Sequence, residues 1–403
     1  MNKVIFFNAI IRWGGEIMGK ILWFLITIIL ARYLGSKDFG FFSYCFAFGS
    51  FLAIFTDIGT NIYLIKRVVE TKQISGILRD IINFKAVIFV FMFILSIIFA
   101  FLNTQQPYVF ILIILFLLLS AMLDPAIYTF RAQKRMDYET LVVLSWRVLC
   151  FIFVILSTTF DFHLLGASIF LNIAAVISLF VVSFLVSKVY KTNYLEIRKI
   201  DFRNLRNILK ESLPLGFLLL FGGIFFKLNI LLLKELSDLQ EVGLYSASFK
   251  LIEGSFFLSS IFMGSVFPFF CETSNDFYSR FRIFKSSFVI LFLISLLIAV
   301  VSTIWSSQII NFVYGEQYIT AVKSFKILVW CLIFIYLNEL FMYYNTSINR
   351  QKISLINMFL TTLMFFVINF LIVPSNGSVG AAKVLLYSQV FLFILNIFTF
   401  KKT

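Results

Sequence analysis

One lysine stands in the middle of a long apolar run. Lys227 lies in PLGFLLLFGGIFFKLNILLL (214–233), flanked by Phe225, Phe226 and Leu228. A charge at the centre of a membrane-crossing helix costs about 2.5–3.5 kcal/mol on insertion scales, so it faces neighbouring helices or water rather than lipid. The residue two positions on is Asn229, and no carboxylate is within local reach. A lysine is a point charge that suits a phosphate without demanding fixed geometry. The chemistry expected of Lys227 is contact with an anionic group. The competing reading, a lysine that snorkels to the interface, is opposed by its mid-run depth.

Other charges sit within or at the edges of apolar runs. Lys250 and Glu253 are three apart and share a helix face; Glu16 and Lys20 are four apart, acid before base. Each pair reads either as part of a functional site or as a structural tie. Arg12 joins Lys227, Lys250 and Lys20 in the candidate cation set. Glu339, deep in its run, is a candidate protonation or coupling carboxylate, with Glu253 and Glu16 beside it; a hydrogen-bonded structural carboxyl is the alternative. Asp57 and Asp124, the latter before Pro125, read as interfacial caps. The tyrosines of YLNELFMYY (336–344) could stack on sugar rings, though packing is the simpler role.

Hydrolytic or transfer machinery is not visible. The single histidine, His163, lies beside Asp161 in a short loop and reads as a solvated residue. The four cysteines are dispersed, with no metal or redox spacing, so neither a metal nor a cofactor is expected. The basic balance of +14 does not require nucleic acid, because Lys and Arg concentrate in the cytoplasmic loops of membrane proteins.

The elements that must carry these residues follow from composition. The chain is 61% hydrophobic and 13% charged, with mean hydropathy +0.99. Soluble domains are about 45–50% apolar and about 25% charged. The expectation is an all-α polytopic membrane protein. A ruler of about 20 apolar residues per span gives twelve: 12–34, 39–61, 80–102, 107–130, 141–160, 164–187, 212–234, 242–270, 284–306, 320–345, 353–373 and 378–400. The N-terminus lacks a small-residue cleavage site, so the first span is expected to be the targeting signal. The stretch 188–211 reads as a basic surface-lying linker, either on lipid or as a solvated connector. Pro214 and Pro268 open or interrupt their spans.

Basic residues set the orientation. The N-terminal side carries Lys3 and Arg12. The loop after span two is assigned Lys66, Arg67, Lys72, Arg79 and Lys85, and the loop after span four Arg131, Lys134, Arg135 and Arg147. The linker and the later loops on that side are basic as well, whereas the opposite side has only Arg32, Lys37, Lys234, Lys323, Lys326 and Lys383. The bias places both termini in the cytoplasm. The outer loops, NTQQP (103–107), TTFDFH (158–163) and VPSNGS (373–378), are short, which argues against a membrane enzyme with catalytic residues on a large outer loop.

The chain also repeats itself. EVGLYSASF (241–249) echoes DFGFFSYCF (38–46) at an offset of 203 residues, and RAQKRM (131–136) resembles NRQKIS (349–354). Two related six-helix lobes are expected, residues 1–187 and 212–403, joined by the linker 188–211. An even number of spans per lobe relates them by an axis along the membrane normal, with a binding site near the midplane.

LARYLGSKDFGFFSY (30–44), FTDIGTNIYLIKR (55–67), FFKLNILLL with EVGLYSASFKLIE (225–253) and IINFVYGEQY (309–318) together resemble the Wzx-type polysaccharide flippases of the multidrug/oligosaccharidyl-lipid/polysaccharide exporter superfamily. The resemblance runs over the whole chain. It implies a MATE-like, two-lobe bacterial inner-membrane protein of twelve helices that alternates between inward- and outward-facing states. It implies movement of an undecaprenyl-pyrophosphate-linked oligosaccharide to the periplasmic leaflet, in a pathway with polymerase and chain-length proteins. A cation-lined cavity for the pyrophosphate agrees with Lys227 and Lys250. One departure stands out: the family often follows the span-seven basic residue with Asp at +2, and here that position is Asn229. Coupling to an ion would therefore use Glu339, Glu253 or another carboxyl. The competing readings are a drug/cation antiporter of the same fold, for which acidic residues should dominate the cavity, a flippase for another glycan lipid such as lipid II, and a polymerase.

Overall fold

The computed structural model describes residues 3–192, 194, 208–209, 211–213, 226–273 and 276–400. Every element among them is helical, as the composition requires. In order they are α1 (Lys3–Asp57), α2 (Thr60–Thr71), α3 (Ser75–Asn103), α4 (Pro107–Ala121), α5 (Asp124–Ala132), α6 (Met136–Thr159) and α7 (His163–Tyr190). A helical stretch over 226–236, α8, precedes α9 (Leu239–Glu253), α10 (Phe256–Glu272), α11 (Phe277–Ile304) and α12 (Ser306–Tyr314). A 3₁₀ turn, Glu316–Ala321, leads into α13 (Val322–Ser347), and α14 (Gln351–Thr399) closes the order.

Nine helical stretches are long and apolar enough to cross a membrane among the described residues. Two of them are broken inside: α1 at Gly35 (φ 75°) and α14 at Gly377 (φ 50°), values that glycine adopts without a side-chain penalty. The nine therefore carry eleven of the twelve expected spans. The twelfth, 212–234, and the linker 188–211 fall for the greater part outside the described residues, as does Pro214. The apolar surface behaves as lipid-facing surface should. On α3, Val87, Phe91, Ile94, Ile98 and Phe101 are exposed at three- and four-residue spacing, while Leu78, Ile81 and Ile82 are buried on another face.

The helices fall into two compact units. One comprises Met1–Leu34 and Tyr44–Lys227, the other Gly35–Ser43 and Leu228–Thr403. In the second unit the two copies of the repeated phrase meet. A Cβ on Gly40 would collide with the Leu239 carbonyl, and one on Gly243 with the Ser36 carbonyl. The glycines in register between the copies are the ones that let two backbones touch. Asp238 is the N-cap of α9: its carboxylate accepts from the Glu241 amide at 2.8 Å. Glu241 Oε2 in turn accepts from the Ser378 amide at 2.6 Å, just past the break in α14.

Span eight is broken as well. Pro268 lies inside α10, yet the discontinuity falls earlier, at Gly254–Ser255 between α9 and α10. The carbonyl of Ser255 accepts a hydrogen bond from the Tyr336 hydroxyl at 2.6 Å, so the freed backbone group stays satisfied.

Candidate functional site

Two cations of the first unit lie on one aromatic wall. α1 presents Ile11, Gly15, Gly19 and Trp23 at four-residue spacing, one face of a helix. The glycines let α6 approach: a Cβ on Gly15 would strike the Thr140 side chain, and one on Gly19 would meet Val143 at 3.4 Å and Arg147 at 3.7 Å. Thr140 Oγ1 donates to the Ile11 carbonyl at 3.3 Å. Held this close, Arg147 of α6 is sandwiched between two indoles. Its Cζ lies 4.8 Å from the Trp23 ring centroid and 4.0 Å from that of Trp146. Trp23 packs against Phe46 at 5.3 Å, and Lys227 Nζ lies 5.6 Å from the Phe46 centroid. Phe116 completes the wall, 6.3 Å from Trp23 and 6.4 Å from Trp146.

Among the described residues no carboxylate lies within ion-pair distance of Arg147. The Trp146 indole N–H beside it is buried without an acceptor. Each cation–π contact contributes about 0.5–2 kcal/mol, but a ring face uses none of the in-plane N–H donors of a guanidinium. The wall thus offers positive charge and unsatisfied donors at one place, next to flat apolar surface. That is a setting for an oxyanion.

The sequence assigned Arg147 to a loop; it stands inside α6. Lys85 requires the same correction: its side chain is 0% exposed, inside α3, with Asp57 at 3.9 Å and Asp124 at 3.7 Å. The cause is common to both. A long basic side chain near the end of an apolar run looks the same whether it points to solvent or inward. The four-residue spacing of Gly15, Gly19 and Trp23 could have exposed the first, and the stripe Leu78, Ile81, Ile82, Lys85 the second. Asp57 ends α1 and Asp124 begins α5, and both flank Lys85.

The remaining candidates are dispersed. Arg12 is tied to Glu139 at 3.5 Å and to Glu16 at 3.8 Å, and Glu139 also holds Arg131 at 2.6 Å. The pairing found for Glu16 is thus with Arg12, one turn before it. Lys20 is exposed on α1, next to Gly19. In the second unit, Lys250 pairs with Glu253 at 2.8 Å, as its spacing implies. Glu339 accepts hydrogen bonds from Ser259 at 2.5 Å and Ser260 at 3.5 Å, so Lys250, Glu253 and the hydroxyl partners of Glu339 lie on the two sides of the Gly254–Ser255 break. Asn229 is buried and donates to the Tyr245 hydroxyl at 2.7 Å and the Ala381 carbonyl at 3.1 Å. No group of metal-ligand type gathers among the described residues. His163 stacks with Tyr33, whose hydroxyl donates to Asp161 at 2.7 Å.

Comparison with solved structures places this fold. A multidrug resistance MATE family transporter of the MOP superfamily, inward-facing, aligns over 97% of both chains with TM-score 0.76 and 13% identity. The lipid II flippase MurJ, inward closed, aligns over 97% of this chain and 87% of its own, with TM-score 0.76 and 14% identity. A MOP superfamily transporter from Pyrococcus furiosus, described by the reverse polarity of its binding pocket, aligns over 97% and 92% with TM-score 0.59 and 14% identity. These likenesses establish the fold. No curated protein matches the chain. Residues 6–274 match the polysaccharide biosynthesis protein family. This multi-pass, all-helical chain, built on the fold of MATE transporters and MurJ, belongs to the polysaccharide biosynthesis protein family.

Proposed function

We propose that the protein flips a polyprenyl-diphosphate-linked oligosaccharide, of the O-antigen or surface-polysaccharide type, from the cytoplasmic to the periplasmic leaflet of the bacterial inner membrane by alternating access. The observation that carries this reading is the Arg147–Lys227 wall: two cations on an aromatic surface inside apolar helices, with no carboxylate at ion-pair distance from Arg147 among the described residues. Diphosphate supplies the oxyanions that the guanidinium and the Trp146 N–H lack, and the rings suit either a sugar face or the polyprenyl chain. Membership of a polysaccharide biosynthesis family supports a glycan-lipid substrate. Both termini in the cytoplasm, the two lobes 1–187 and 212–403, and polymerase and chain-length proteins as partners belong to the same proposal. Lys250, Lys20 and Arg12 are secondary in it, since Lys250 and Arg12 are committed to carboxylates.

One observation favours a second reading. Glu339 meets hydroxyls rather than a cation, which suits a cation antiporter. The experiment that separates the two is reconstitution of the full chain in vesicles with a fluorescent polyprenyl-diphosphate oligosaccharide, read by the fraction accessible to an impermeant quencher. Equilibration across the bilayer that is lost in Arg147→Met and Lys227→Ala is the expected result. Equal accessibility with and without protein, together with cation efflux that depends on Glu339, would transfer the assignment to the antiporter.

A further inference from the structure

Away from the aromatic wall, the first unit contains two broken helices with a carboxylate at each break. α1 ends at Asp57 and α2 begins at Thr60, across Ile58 and Gly59, both with positive φ (34° and 79°). α4 ends at Ala121 and α5 begins at Asp124, with Pro125 next. Lys85 of the unbroken α3 lies between the two breaks. Its ammonium donates to Asn61 Oδ1 at 3.0 Å and to the Ala121 carbonyl at 3.3 Å, with Asp57 Oδ1 at 3.9 Å and Asp124 Oδ2 at 3.7 Å.

The charges do not balance. One ammonium faces two carboxylates, which leaves a net negative charge among apolar helices, where a charge is costly. Among the described residues, Lys85 is the one cation at ion-pair distance from either carboxylate. The other titratable groups nearby are Tyr128 of α5, whose ring lies 4.5 Å from the Arg131 guanidinium, and Tyr194, whose hydroxyl is given to the Met122 carbonyl at 2.6 Å. Neither supplies a compensating charge to the cluster: Tyr128 is neutral, Tyr194 is committed, and Arg131 is neutralised by Glu139. A single proton balances the cluster.

The geometry also decides which carboxylate takes it. Asp57 Oδ1 accepts from Thr60 Oγ1 and from the Asn61 amide, both at 3.0 Å, so that oxygen is already engaged by two donors. Asp124 receives only one long bond among the described residues, from Asn61 Nδ2 at 3.5 Å. We propose that Asp57, Lys85 and Asp124 form a proton-binding site, with the proton carried by Asp124, that is the ion-coupling site of this protein. The coupling clause rests on the flippase reading. A hydronium ion of the aqueous phase gives up the proton: one of its O–H bonds breaks, an O–H bond forms on the Asp124 carboxylate, and a water molecule is left. Its arrival cancels the attraction between Asp124 and Lys85 and leaves Lys85 to Asp57, so the α4–α5 break is held to α3 by the Lys85–Ala121 hydrogen bond without the ion pair. Val143 and Trp146 of α6, within a turn of Arg147, pack on the same apolar cluster as Leu123 and Ala126, which flank Asp124. An anion held by Arg147 disfavours a second negative charge at Asp124, and by linkage the proton strengthens anion binding in return.

The test is infrared difference spectroscopy of the full chain in lipid bilayers between acid and alkaline pH, read in the carbonyl stretch of protonated carboxyls. Wild type is expected to show a titrating band that is absent in Asp124→Asn. In Asp57→Asn, where Lys85 alone balances Asp124, the band moves to more acid pH. Lys85→Met, if it folds, keeps the band to higher pH; Asp57→Asn carries the same comparison if it does not. A titrating band unchanged in amplitude and midpoint in Asp124→Asn overturns the proposal. Polyprenyl diphosphate binding is measured on the same samples with a pH indicator. Loss of the band in Asp124→Asn with no diphosphate bound by wild type would leave the proton site standing and remove the flippase reading. Diphosphate binding that takes up the same number of protons in wild type and Asp124→Asn would overturn the coupling.

Discussion

Replacing Arg147 by methionine removes the charge and the donors but keeps the apolar stem between Trp23 and Trp146. Hydrogen bonds to charged groups contribute about 1.5–3 kcal/mol net. At about 1.4 kcal/mol per tenfold, loss of the Arg147–diphosphate contact weakens binding roughly 10- to 100-fold. The variant also loses two cation–π contacts, which lie at 4.8 and 4.0 Å from the ring centroids and contribute about 0.5–2 kcal/mol each. Binding and stability must therefore be read separately. The assay is titration of purified protein in nanodiscs with a polyprenyl diphosphate and with the matching uncharged polyprenol, beside a thermal-unfolding midpoint. Arg147→Met is expected to lose diphosphate affinity while polyprenol binding is unchanged. Arg147→Lys, which keeps the charge but not the planar fork, falls between the two. Lys227→Ala combined with Arg147→Met should deviate from additivity by more than about 0.5 kcal/mol, as two residues on one ligand do. Diphosphate affinity within about twofold of wild type in a normally folded Arg147→Met protein would refute the reasoning.

Three further outcomes follow from the packing. Gly243→Ala places a methyl against the Ser36 carbonyl, and because backbone cannot swing aside as a side chain can, destabilisation of about 3 kcal/mol or more is expected; a normal unfolding midpoint would contradict the close contact. Glu139→Ala strips Arg12 and Arg131 of their shared carboxylate. Breaking a fully buried pair costs about 3–5 kcal/mol, and since Arg12 is 35% exposed a loss nearer 2 kcal/mol is expected, partly restored by the second change Arg131→Met. Tyr336→Phe removes the hydroxyl from the Ser255 carbonyl at the break in span eight, and a loss of about 1 kcal/mol with faster amide exchange around Gly254–Phe256 is the expected reading.

Composition alone dictates the solvent and, with it, most of the fold. A chain that is 61% hydrophobic leaves membrane helices as the economical way to satisfy its backbone. Span lengths then follow from bilayer thickness, and the repeat of 38–46 at 241–249 marks two glycines whose close approach the structure displays. The pair Lys250–Glu253 was legible because three residues on a helix bring two side chains together whatever surrounds them. Lys227 was legible because a charge in mid-run has few innocent explanations.

Which way the other basic residues face is set by how the helices pack. Lys85 lies in the first half of α3 and Arg147 midway along α6, in helices so apolar that periodicity gives only a weak preference for one azimuth over another. A glycine face on α1 turns Arg147 onto indoles, and two helix breaks, whose Asn61 and Asp124 are 63 residues apart in sequence, close around Lys85. Coulombic partners separated so far along the chain meet only when helices pack, and no local spacing rule announces them.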